Sequence, residues 1–105
     1  MLQNVTHDVI FRPAAVDDLR RIYLYIAEQS SDQRAGDYLA RLEKACLGLQ
    51  TFPHRGSVRG RVLPGLRIIG FEGSASIAFR VQDGTVEILR ILGKGQGIPT
   101  EWPDE

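Results

Sequence analysis

The sequence is sparing with the residue types from which many active sites are built. Its 105 residues include one cysteine, Cys46, which excludes an internal disulfide or a multi-cysteine metal site and fits a reducing compartment. There is no surplus of charge either. Thirteen Lys and Arg balance 13 Asp and Glu, which argues against a protein that coats nucleic acid by bulk charge. No run reaches the roughly 18 apolar residues of a membrane-spanning helix. The opening MLQNVTHD lacks the basic and then apolar plan of a secretory signal. Repeats, low-complexity tracts and linkers are missing as well. The expectation is a single cytoplasmic domain over residues 1–105 that uses no metal and no cofactor.

What is present is an ordinary globular composition, 43% hydrophobic and 25% charged, with the charges unevenly placed. Seven of the 13 acids lie in the first 43 residues. From Lys44 to Phe71 five cations (Lys44, Arg55, Arg59, Arg61, Arg67) meet no acid, and Arg90 and Lys94 stand alone between Ile88 and Thr100. Eleven of the 13 cations are arginine, whose planar fork suits carboxylate and phosphate partners. A neutral chain can therefore present a polarised surface.

Val9, Ile10 and Phe11 form an apolar run that Arg12-Pro13 stops, which predicts a first strand. Pro13 fits the first turn of a helix, along which Val16, Leu19, Ile22, Tyr23 and Ile26 recur at three and four over about 16 residues. Asp17 and Asp18 lie near the positive N-terminal end of that helix. Ser30-Ser31-Asp32-Gln33 matches a capping box with Ser30 as the cap. The helix behind it carries Ala35, Leu39, Leu42, Cys46 and Leu49 on one side and stops before Pro53. FPHRGSVRGRVLPG, from Phe52 to Gly65, reads as a cationic loop. Three strands follow at Leu66 to Phe71, Ser76 to Val81 and Thr85 to Leu92, parted by Gly73-Ser74 and by the hairpin signal Asp83-Gly84. The order is β-α-α-β-β-β, an α+β fold with a helical hairpin packed on a small, mainly antiparallel sheet.

The ordered set Phe11-x-Pro13, Asp18-Leu19, Ile22-x-x-Tyr25-Ile26, Ala35 and Tyr38 with Leu42 and Leu49, Pro53-x-x-Gly56, Arg59-x-x-x-Leu63-Pro64-Gly65-Leu66-Arg67 and Val86-x-Ile88-x-Arg90-Ile91-Leu92 resembles a known family. It is similar to the ParE/RelE superfamily of type II toxin–antitoxin toxins, and more closely to its ParE branch, over most of the chain. The resemblance implies the RelE/ParE-like toxin fold and a cytoplasmic toxin neutralised by a co-expressed, ParD-like antitoxin. In the ParE branch it implies DNA gyrase as the target. RelE-like relatives instead cleave mRNA on the ribosome.

Residue types bear on that choice. Cleaving a phosphodiester through its 2′-hydroxyl needs a base, an acid and cations on the phosphate. No Tyr or His follows His54, whereas the RelE-like pattern places its acid/base near the chain end. Gly93-Lys94-Gly95-Gln96-Gly97-Ile98-Pro99 stands where many relatives carry histidine and arginines. The expectation is a non-enzymatic binder without catalytic residues. The alternatives are a ribosome-dependent endoribonuclease, with Arg67 and Arg90 on phosphate and His54 as base, and a decayed toxin that only binds its antitoxin. Gly93 to Gly97 lacks the Lys-Ser/Thr ending of a phosphate loop and reads as a turn. Candidate contacts to antitoxin or target are Arg59, Arg61, Arg67, Arg80, Arg90, Lys94 and Trp102. Arg67, Arg80 and Arg90 interrupt apolar strands, so each lines a groove, points to solvent or pairs with Glu72 or Glu87. Trp102 is a cap packed on the sheet or an interface anchor. Cys46 reads as a small buried hydrophobe. An amphipathic antitoxin helix in an apolar groove is the expected mode of neutralisation.

Overall fold

The computed structural model describes residues 7–102; the opening MLQNVT, on which the reading of the chain start rests, and residues 103–105 lie outside them. Along the chain run β1 (Asp8–Phe11), α1 (Pro13–Gln29), α2 (Asp32–Leu47), a 3-10 turn at Gly48–Gln50, β2 (Ser57–Val58), β3 (Leu66–Phe71), β4 (Ala75–Gln82) and β5 (Thr85–Gly93). Among the described residues no helix is long and apolar enough to cross a membrane.

Local chemistry accounts for the boundaries. Arg12 is extended, as a residue before proline prefers, and Pro13 opens α1 where its missing N–H costs nothing. The cap of α2 is Ser31, whose Oγ accepts from the Arg34 N–H at 3.1 Å. This corrects the expectation of Ser30, whose own N–H closes α1 by donating to the Ile26 carbonyl at 2.8 Å. A residue still completing one helix is not free to begin the next. Both hairpins between the last three strands turn on consecutive positive φ values, Glu72 and Gly73 in one, Asp83 and Gly84 in the other, the backbone that matches strand twist. Gly56 has φ +80°, and a Cβ there would sit 2.3 Å from the Ile68 carbonyl oxygen, so only glycine fits.

The sheet order is β1-β5-β4-β3-β2, with β1 parallel to β5 and the other pairs antiparallel. The α+β class with a helical hairpin on a mainly antiparallel sheet is thus the observed one. The sheet has one more strand than expected. Ser57 and Val58 pair with Ile68 and Arg67 inside the segment read as pure loop. Two residues are too short for any periodicity to show.

The two helices cover one face of the sheet. Ala15, Leu42, Cys46 and Leu49 pack there against Phe71, Ile77, Phe79, Val86, Ile88 and Ile91. On the opposite face Val62, Leu63, Ile68, Ile98 and Trp102 close over Leu66, Ala78 and Leu89. A bulge in β5 resets which of its side chains face each layer. Phe79 lies opposite Ile88 but Ala78 lies opposite Arg90, leaving Leu89 as the extra residue. Strict alternation from Val86 and Ile88 would have carried Arg90 into the helix-side core. The extra residue puts Ile91 there instead.

Candidate functional site

The one buried charged residue among those described is Asp18, 1% exposed, on the face of α1 that meets the sheet. Strand β1 ends opposite Ile88, so the edge of β5 beyond that point has no strand beside it. Asp18 takes up that edge. Its Oδ2 accepts from the Ile91 N–H at 2.8 Å and from Arg90 Nε at 2.7 Å, and its Oδ1 from Arg90 Nη2 at 3.0 Å. Arg21, one turn along α1, also donates to Oδ1. A bidentate fork plus a backbone donor is the geometry that offsets the cost of burying a carboxylate. The carboxylate in turn holds the Arg90 guanidinium above its ordinary pKa. Two guanidinium groups share one carboxylate, which leaves a positive charge unmatched within the cluster.

A cleft of about 480 Å³ opens beside this cluster, between the helices and the end of β5. Its floor is apolar, with Ile22, Ile26, Ala75 and Ile91. Arg21, Tyr25 and Lys94 stand on its lining, with the Arg21 side chain 60% exposed and Tyr25 65% exposed. At the far side the Tyr38 and Ser74 hydroxyls lie 2.6 Å apart, and the Tyr38 ring meets Phe71 edge-on. The Gly93–Gln96 turn forms the rim, held by the Gln96 side chain accepting from the Gly93 N–H and by the Lys94 N–H donating to the Ser74 carbonyl. The ammonium of Lys94 makes no ion pair among the described residues. Next to the cleft, Arg41 stacks over Tyr38 and forks onto Glu72, whose carboxyl is held below its ordinary pKa by that pair.

The residues singled out in the sequence fall into three places. Arg90 and Lys94 belong to the cleft region, but the partner of Arg90 is Asp18 rather than Glu72 or Glu87; Asp18 is 72 residues away in sequence, beyond the reach of any local pattern. Arg80 does pair with Glu87, its cross-strand neighbour, at 2.8 Å. Arg59, Arg61 and Arg67 lie towards the opposite edge, the first two in the turn between β2 and β3 and Arg67 on β3. Arg67 donates to the Arg55 carbonyl at 3.4 Å, while Arg59 and Arg61 are exposed and without ion pairs among the described residues. Trp102 lies half-buried in the second apolar cluster, its Nε1–H donating to the Pro99 carbonyl at 2.8 Å. Sequence reasoning missed Asp18, Arg21, Tyr25 and Tyr38 as site residues. A signal for Asp18 existed, since it falls three residues after Ala15 and four before Ile22, in phase with the apolar stripe. No described group of three His, Cys, Asp or Glu could hold a metal ion.

The fold and cleft define a small two-layer α+β protein of the kind found in toxin–antitoxin pairs. Residues 9–97 match the family model of the ParE toxin of the type II toxin–antitoxin system parDE, and the chain belongs to that family. No curated protein matches it in sequence. Among solved structures it is similar to a chain of the chromosomal ParDE toxin–antitoxin system of P. aeruginosa. The TM-score is 0.74 at 24% identity, covering 85% of this chain and 97% of that one. It is also similar to a chain of the RelBE2 toxin–antitoxin complex of Mycobacterium tuberculosis, with a TM-score of 0.63 at 25% identity over 90% of this chain and 98% of that one.

Proposed function

We propose that this ParE-family toxin acts in the cytoplasm by binding rather than by bond cleavage, inhibiting DNA gyrase until a ParD-like antitoxin neutralises it. The family match over residues 9–97 carries the reading. The use of the strand arginines supports it, since Arg90 and Arg80 are committed to Asp18 and Glu87 instead of standing around an acid and a base. The test places the purified protein in a gyrase supercoiling reaction and, in parallel, with ribosomes translating an mRNA. Supercoiling should be inhibited and the mRNA left intact. Intact supercoiling with cleaved mRNA overturns the reading.

That second outcome would favour a ribosome-dependent endoribonuclease. One observation speaks for it. Arg67 is hydrogen-bonded to the backbone of Arg55, which brings a cation beside the neighbour of His54. Arg67→Ala should then abolish cleavage. A decayed toxin, the third possibility, requires that expression without antitoxin leaves growth unaffected.

A further inference from the structure

We infer that the cationic end of the sheet formed by Arg55, Arg59, Arg61 and Arg67 rests on the phosphates of duplex DNA, without reading its sequence. No acid occurs between Lys44 and Phe71. Among the described residues none of these four arginines has a carboxylate partner, whereas Arg21, Arg41, Arg80 and Arg90 all do. The unmatched charge is also held in place. The Arg59 N–H donates to the Leu66 carbonyl at 2.8 Å and the Arg59 carbonyl accepts from the Val62 N–H at 3.0 Å. Arg67 lies opposite Val58 in the β2–β3 pair and donates to the Arg55 carbonyl. The four arginines therefore sit on one hydrogen-bonded ribbon and its turn. What surrounds them selects the partner. From residue 53 to residue 70, Val58 is the only large apolar side chain left exposed, too little for the apolar centre of a protein interface. The same stretch holds no Phe, Tyr or Trp on which unstacked bases could lie. Charge without an apolar or stacking platform fits the backbone of a duplex, whose phosphates guanidinium groups meet in any sequence. A chain of zero net charge keeps such a contact local and salt-sensitive.

This inference rests on the gyrase reading, since an inhibitor docked on an enzyme that handles DNA has a duplex within reach. Antitoxin carboxylates are ligands for the same arginines, so neutralisation covers the DNA contact. The experiment titrates the full chain into a labelled duplex of about 20 base pairs, followed by fluorescence anisotropy from about 50 to about 200 mM salt. Contact with about three phosphates gives a slope of log K against log salt of about −2.7, which is about a fortyfold loss of affinity across that range. Arg59→Ala with Arg61→Ala should bring the slope to about −0.9 at unchanged Tm, and Arg59→Lys with Arg61→Lys should keep it at the parent value. No binding at the lowest salt, a slope that the alanine pair leaves unchanged, or lysines as damaging as alanines overturns the inference. Tighter binding of a single-stranded RNA of the same length also overturns it and points to the endoribonuclease. Tighter binding of polyglutamate overturns it too, and makes this end of the sheet a site for acidic protein alone. A supercoiling assay keeps the two readings apart. Wild type that binds the duplex but leaves supercoiling intact counts against gyrase and leaves the DNA contact standing. Supercoiling inhibited without any DNA binding removes the contact and leaves the gyrase reading.

Discussion

Asp17 and Asp18 look alike in the sequence, two acids in the second turn of a helix where the dipole favours negative charge. In the structure one is exposed and the other is sealed between α1 and β5, holding Arg90 and the Ile91 N–H. Removing one member of a buried ion pair leaves the other unsatisfied. Asp18→Asn should therefore cost about 2–3 kcal/mol in urea denaturation, less than for a fully buried pair because Arg90 is partly hydrated. Asp17→Asn should stay within about 0.5 kcal/mol. Equal effects would show that Asp18 acts through the dipole alone. Cys46 gives a second residue-scale prediction. Fully buried among apolar side chains, and with Glu43 nearby, its thiol is pushed up to about 12 from an ordinary value of 9.0. The native protein should resist iodoacetamide at pH 8 and react in denaturant. The unfolded thiol ionises above pH 9 and the folded one does not. This contribution to stability is thus complete below pH 9 and is lost as pH rises towards 12.

At the scale of elements, periodicity and punctuation were enough to place β1, both helices and β3 to β5, because each is long enough for its pattern to repeat and ends on a proline, a cap or a turn signal. The failures were local competitions. Ser30 and Ser31 are both good caps by type, and which of them caps α2 depends on where α1 releases the chain. Ser31→Ala should cost about 1 kcal/mol and Ser30→Ala close to nothing, as read by thermal or urea unfolding. The reverse order would restore the sequence-based assignment. Strand β2 has no local signal in the sequence. It exists only because β3 presents an edge to it, and Gly56 lets the chain come against the Ile68 carbonyl.

For the whole molecule, the neutral formal charge conceals two separate cationic regions, Arg55 to Arg67 at the β2 edge and Arg21 with Lys94 at the cleft. We expect the first to face acidic side chains of the antitoxin. Association should then slow as salt rises from low to physiological ionic strength, and Arg59→Ala with Arg61→Ala should flatten that dependence, as measured by stopped-flow mixing. Rates indifferent to salt would remove the charged edge from the encounter. The sequence by itself determined the α+β class, the order of the main elements, the burial of Cys46 and the resemblance that the family match bears out. These follow from signals carried within a dozen residues, such as side-chain period, helix caps and turn backbone. Only the tertiary structure decided that Asp18 meets Arg90 across 72 positions, that a bulge at Leu89 turns Ile91 rather than Arg90 into the core, and that a cleft opens beside the free edge of β5. The reason is physical. Such contacts depend on which backbone groups remain unpaired once the sheet has formed, and that is a property of strand register and length rather than of any local run of residues.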